Sequence, residues 1–154
     1  MKIHTGGCQC GAIRYEIKSE PLTIYACHCK ECQRQSASAF GMSMAVPREA
    51  VTIYGAPKQW TRKADSGREV VCLFCGDCGV RLFHCPMRNP KIMNLKPGTL
   101  DDTSWIRAIG NLWTRSAQPW IEINPSAINF EAQPEDYDRL FERWKRNLNS
   151  DKND

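Results

Sequence analysis

A chain of 154 residues, 42% hydrophobic and 25% charged, is sized for one domain with a modest core. No run of 18 apolar residues offers a transmembrane helix, and residues 1–7 carry no apolar stretch that could serve as a signal peptide. These features predict a cytoplasmic protein with no membrane partner, and the formal charge of +4 is a modest basic excess that counts every cysteine as neutral.

Taken in chain order, Gly6-Gly7 leads into Cys8-Gln9-Cys10, and Gly11 closes that knuckle with the tight backbone path a Cys-x-Cys clamp needs. Ile13, Tyr15 and Ile17 then alternate with Arg14, Glu16 and Lys18, the two-residue period of a strand with one wet face. Residues 23–26 predict a short strand running into Cys27-His28-Cys29-Lys30-Glu31-Cys32-Gln33-Arg34, where a helical turn begins near Cys29. Further strands are expected over 50–54, 69–74, 80–83 and 121–123, all rich in β-branched and aromatic residues. Turn signals separate them at Gly55-Ala56-Pro57, Asp65-Ser66-Gly67, Asn89-Pro90, Pro97-Gly98 and Asn124-Pro125.

The one strong helical period comes last. Tyr137, Leu140, Phe141, Trp144 and Leu148 fall at spacings of three and four after Pro134, predicting a helix over 134–149. Its aromatic stripe is expected to pack on the same domain, with Arg139, Arg143, Lys145 and Arg146 as a solvated edge. The organisation read from the chain is a zinc-binding β domain over 1–133, the helix 134–149 packed on it, and a flexible tail at 150–154.

Cysteine carries the chemistry. Nine residues of this type cannot all pair within one chain, and a reducing compartment disfavours disulfides, so the paired spacings point to metal. Cys8 and Cys10 with Cys75 and Cys78 make a closed tetrahedral zinc site of the structural kind, joining knuckles far apart in the chain. Cys27, Cys29 and Cys32 offer a second zinc three sulfurs from one segment, leaving a corner for water or substrate. An extended Cys27-His28-Cys29 segment would turn His28 the other way. The competing reading is a second closed site completed by His28, Cys72, Cys85 or another side chain, and Cys72 also blurs ligand assignment around Cys75 and Cys78. Counting seven thiolates and two zinc ions brings the net charge from +4 to about +1, which removes most of the support for a nucleic-acid partner.

These residues carry a resemblance. The segments Gly7-Cys8-Gln9-Cys10-Gly11-Ala12-Ile13-Arg14-Tyr15, Cys27-His28-Cys29-Lys30-Glu31-Cys32-Gln33-Arg34 and Phe74-Cys75-Gly76-Asp77-Cys78-Gly79 resemble the glutathione-dependent formaldehyde-activating enzyme family. The likeness continues through Leu82-Phe83, Gly98-Thr99-Leu100-Asp101-Asp102, Trp113 and Pro119-Trp120, over about residues 5–125. It implies a mostly β protein: a β-tent fold of small antiparallel sheets around a structural zinc held by Cys8, Cys10, Cys75 and Cys78, with a catalytic zinc on Cys27, Cys29 and Cys32. It also implies a carbon-sulfur lyase that joins formaldehyde to the glutathione thiol as S-hydroxymethylglutathione, or reverses that step. After Arg34 the family tends to read Ser-Gly-Ala where this chain has Ser36-Ala37-Ser38, a departure that bears on the backbone path near the second site.

The carboxylates of a glutathione-like thiol would need cationic partners, and Arg34, Arg48, Lys58, Arg62 and Arg115 are available. Arg34 is singled out because it follows Cys32 by two residues. Trp113 and Trp120 are read as packing residues before pocket walls. The alternative function is a zinc-stabilised β-tent binding module of chaperone-like or protein-interaction type, which needs no open metal corner.

Overall fold

The computed structural model describes residues 2–64 and 67–150. In chain order it contains β1 (His4–Gly7), β2 (Arg14–Ile17), β3 (Thr23–Cys27), α1 (Lys30–Ser36), β4 (Gly41–Pro47), β5 (Val51–Tyr54), β6 (Lys58–Lys63), β7 (Glu69–Phe74), β8 (Arg81–Pro86), β9 (Ile92–Leu95), β10 (Gly110–Leu112), β11 (Ile128–Asn129) and α2 (Asp138–Ser150). The protein is mostly β with a C-terminal helix, as the sequence predicts. Its chain gathers into two compact units, Met1–Pro21 with Met44–Trp105 and Leu22–Ser43 with Ile106–Asp154.

In the first unit β1, β2 and β5 form an antiparallel sheet in which His4 faces Ile17 and Tyr15 faces Ile53. The alternation read from the sequence buries Ile13, Tyr15 and Ile17. The Met44–Pro47 half of β4 pairs antiparallel with β9, and the ladder continues through β8 and β7 to β6. Tyr15 meets Phe83 edge to face at 5.2 Å, and Val46, Leu82 and Leu95 are fully buried in the same unit. β6 escapes sequence reading because Lys58–Lys63 is an almost wholly exposed strand at the end of its ladder, so no apolar alternation marks it.

In the second unit β10 runs parallel both to β3 and to β11, which adds parallel pairing to the antiparallel ladders expected. β3 is buried at every residue, and α2 packs on the unit through Leu140 and Trp144, with the Tyr25 and Tyr137 rings 5.5 Å apart. The helix starts at Asp138 rather than residue 134 because the Asp136 carboxylate accepts the Asp138 N–H at 3.1 Å, holding the preceding residues in a turn. Residues 121–123 form no strand. They lie between Pro119 and Pro125, and the Ile121 N–H is taken by the Gln118 carbonyl at 3.0 Å, which leaves too little free backbone for a ladder. Of the expected turn and tail, Asp65 and Ser66 and residues 151–154 lie outside the described residues, while Ser150 closes the helix.

Candidate metal centres

The first sulfur group lies wholly in the first unit. The Sγ atoms of Cys8, Cys10, Cys75 and Cys78 all fall within 4.8 Å of one another, with Cys10 3.6 Å from both Cys8 and Cys75. Tetrahedral zinc, with Zn–S near 2.3 Å, sets its sulfurs roughly 3.8 Å apart, so this donor set fits the ion. Each knuckle is locked by backbone. The Cys8 N–H reaches the Ile13 carbonyl at 3.0 Å and the Ile13 N–H returns to Cys8 Sγ at 3.2 Å. The Cys75 N–H donates to Val80 at 2.9 Å, and Gly79, at φ +78, sits in the left-handed region that lets the turn close.

Sulfurs this close cannot all ionise unaided. The Val80 amide draws the Cys78 thiol down to about 6, whereas Cys10, despite the Ala12 amide, is raised by Cys8 and Cys75 to about 12. A dication bound among them would remove that conflict and couple metal binding to folding.

The second group lies wholly in the second unit, where Cys27, Cys29 and Cys32 place their sulfurs within 4.8 Å of one another. Cys27 ends β3, and Cys29 is the N-cap of α1, with its Sγ accepting the Cys32 N–H at 3.3 Å. One turn of helix therefore returns Cys32 to the side of Cys29. Hydrogen bonds with Cys29 and Cys32, and then burial, push the Cys27 thiol up, the same crowding seen in the first group. Gly41 passes close behind: a Cβ there would lie 3.2 Å from the Cβ of Cys32.

His28 is 1% exposed and turns inward, its Nε2 3.0 Å from Asn111 Oδ1. Asn111 in turn donates to Asn129 Oδ1 at 2.9 Å, so β10 and β11 anchor the knuckle from behind. Among the described residues no histidine or carboxylate joins the three sulfurs. Gln33 ties α1 to the surrounding loops by donating to the carbonyls of His28 at 2.8 Å and Ser116 at 2.9 Å, and Gln118 donates to Gln33 Oε1 at 3.4 Å.

Tyr137 opens the apolar stripe that the sequence predicts for the C-terminal helix, and periodicity is blind to its polar end. Burial pushes its phenol up, and Cys27 and Cys32 act on it in the same direction, so the hydroxyl stays protonated within electrostatic reach of both sulfurs. Gln133 Nε2 donates to that oxygen at 2.8 Å. The one hydroxyl in the predicted apolar stripe is the available signal.

Cys72 and Cys85 are buried on β7 and β8 and belong to neither sulfur group. Arg34 pairs with Glu31 at 2.6 Å and its side chain is 77% exposed. Two residues on a helix are about 200° apart, so Arg34 stands on the far side of α1 from Cys32. Arg48 donates to the Pro90 carbonyl, the Lys58 side chain lies across Gly76, and Arg115 covers the Trp113 ring at 4.9 Å. Trp113 is half-buried in the left-handed region at φ +58. Trp120 departs from the packing expected of it: it is 70% exposed, with its Nε1 donating to Gln118 Oε1 at 2.7 Å.

The sequence model of the family described as "Glutathione-dependent formaldehyde-activating enzyme" matches residues 3–116. A Penicillium rubens protein provisionally named for that activity is 32% identical over 78 residues, a match covering 49% of this chain and 40% of that protein. A solved structure of a Rhodobacter sphaeroides protein aligns with a TM-score of 0.53 at 18% identity, over 82% of this chain and 98% of that one. At that identity the likeness concerns the fold alone. No helix among the described residues is long and apolar enough to cross a membrane.

Proposed function

This chain belongs to the glutathione-dependent formaldehyde-activating enzyme family, and from that premise we propose that it is a zinc-dependent carbon-sulfur lyase, forming or cleaving an adduct between a small thiol such as glutathione and a small aldehyde such as formaldehyde. The observation that carries this reading is the division of seven sulfurs into a group of four and a group of three, the latter gathered with no histidine or carboxylate among the described residues. In this reading Cys8, Cys10, Cys75 and Cys78 hold a structural zinc and Cys27, Cys29 and Cys32 hold a catalytic one.

Zinc at the second group would supply Lewis acidity toward an aldehyde oxygen and a docking point for a thiol sulfur. The chain's own residues do the rest. Cys29 is half-buried and leaves the group a route to solvent, while His28, Asn111 and Gln33 hold the knuckle and helix in one geometry. In the forward direction a sulfur–carbon bond forms, the carbonyl double bond becomes a single bond, and the thiol proton ends on the former aldehyde oxygen. Tyr137, kept protonated by burial within the field of Cys27 and Cys32, is a candidate neutral hydrogen-bond partner beside the group. The nine cysteines suit the reducing cytoplasm as the place of action.

Zinc counted on protein purified without added metal tests the reading, together with turnover of S-hydroxymethylglutathione above its spontaneous rate. Two ions per chain are expected, with one ion and the turnover both lost in Cys29→Ala. Turnover retained by a folded Cys29→Ala protein that lacks the second ion refutes the role of that centre. Two ions without turnover of any thiol–aldehyde adduct favour a zinc-stabilised binding module.

A further inference from the structure

We propose a second ligand site, separate from both sulfur groups: an oxyanion-binding face on β6 to β9 that takes the carboxylate or phosphate group of a small molecule. Strand register aligns Trp60, Cys72, His84 and Asn94 across these four strands, and so on one face of the sheet. Arg62 shares that face two residues from Trp60, and Lys96, just past the end of β9, acts electrostatically on both His84 and Cys72. Arg81, three residues from His84, would ordinarily point the other way. The register shift at Leu73/Phe74 sets Arg81 opposite Phe74 instead, and its guanidinium donates to His84 Nε2 at 2.9 Å.

The charges on this face are of one sign. Lys96, Arg81 and Arg62 are the charged side chains acting on His84, and the same three act on Cys72. The single acidic residue in the four strands is Glu69, which stands three residues from Cys72 and therefore on the opposite face. Lys96 is only 8% exposed, as is the neutral His84 ring beside it, so the cationic field of this face acts where water screens it poorly. Arg62 and Arg81 offer guanidinium groups on this face to an incoming anion.

The donors also match. Because His84 Nε2 accepts from Arg81, the ring carries its hydrogen on Nδ1 and remains a neutral donor; burial and the neighbouring cations hold its pKa at about 2. Guanidinium groups, an imidazole N–H and the Asn94 amide are the donor types that grip carboxylate and phosphate oxygens. Trp60, 53% exposed and 5.9 Å from the Arg81 guanidinium, forms a flat wall at the solvent side.

Histidine-ring proton–carbon correlations on the zinc-loaded full chain test the site, since the protein has three histidines and the His84 signal is identified by its loss in His84→Gln. Inorganic phosphate and S-methylglutathione are titrated separately at constant ionic strength. We expect the His84 signal to move saturably with at least one of them while His4 and His28 stay in place. Arg81→Gln and Arg62→Gln should each weaken that binding tenfold or more. A response to phosphate alone marks a phosphorylated ligand, and a response to S-methylglutathione alone marks a carboxylate; both uphold the site. A His84 signal that ignores both, drifts without saturation, or moves equally in the arginine variants overturns it. Should Arg81→Gln lose its fold, Arg62→Gln on the exposed strand at the ladder's end carries the test, with unchanged zinc content marking an intact protein. Failure of this site leaves the lyase reading standing, because that reading is tested by zinc content and turnover at Cys27, Cys29 and Cys32.

Discussion

Replacing Ala37 by glycine should stabilise this protein. Ala37 caps α1 with φ +49 and ψ +39, and its N–H donates to the Arg34 carbonyl at 3.2 Å. The left-handed region brings the Cβ of an L-residue against its own carbonyl oxygen, at roughly 1–2 kcal/mol. Ala37 is exposed, so removing its methyl forfeits almost no burial. Against the relief stands the wider freedom of glycine in the unfolded chain, about 0.4–1 kcal/mol. The net gain is about 0.5–1 kcal/mol, which for a chain of this size raises the melting temperature by about 1–4 °C. Thermal and urea unfolding of zinc-loaded wild type and Ala37→Gly measure it, with metal content confirmed equal. An unchanged or lowered urea midpoint would show that the cap is not strained. It would also mean that the departure from the family's Ser-Gly-Ala pattern carries no energetic penalty here.

Other expectations follow from the same geometry. Cys75→Ala removes one of the four ligands of the proposed structural zinc, whose whole binding energy in small zinc sites is on the order of 10 kcal/mol, and should leave no folded protein by circular dichroism even with zinc in excess. Gly41→Ala places a methyl 2.8 Å from Gln35 Nε2 and 3.2 Å from the Cβ of Cys32 and should destabilise by about 1–3 kcal/mol; an unchanged urea midpoint would refute the close-approach argument. Tyr137→Phe should keep both ions yet lower lyase turnover by about tenfold, the value of one hydrogen bond, and an unaltered rate removes Tyr137 from the site. His84 is neutral in the fold with its pKa lowered to about 2, so below the ordinary histidine range near 6.5 the unfolded chain binds the extra proton. Stability is then fully present above about pH 6.5 and falls on acidification by up to about 1.4 kcal/mol per unit, a slope that should flatten in His84→Gln when the two proteins are unfolded in parallel across pH 5–7.

What the sequence determined by itself is local. The spacings at Cys8 and Cys10, at Cys27, Cys29 and Cys32, and at Cys75 and Cys78 already define knuckles, because two sulfurs one or two residues apart share a point whatever the rest of the chain does. The alternation at Ile13, Tyr15 and Ile17 and the stripe through Leu140 and Trp144 likewise declare a strand and a helix from within a few residues. Tertiary structure decided everything that depends on distant partners. It set Cys10 against Cys75 across 65 positions, ran β10 parallel to β3, and left Trp120 in solvent. It also carried Tyr137 within reach of Cys27, and through one register shift turned Arg81 onto the face of His84. Periodicity reports which side of an element is apolar, but which strand lies beside it and in what register is settled only when the whole core packs, and the polar constellations of this protein are products of that register.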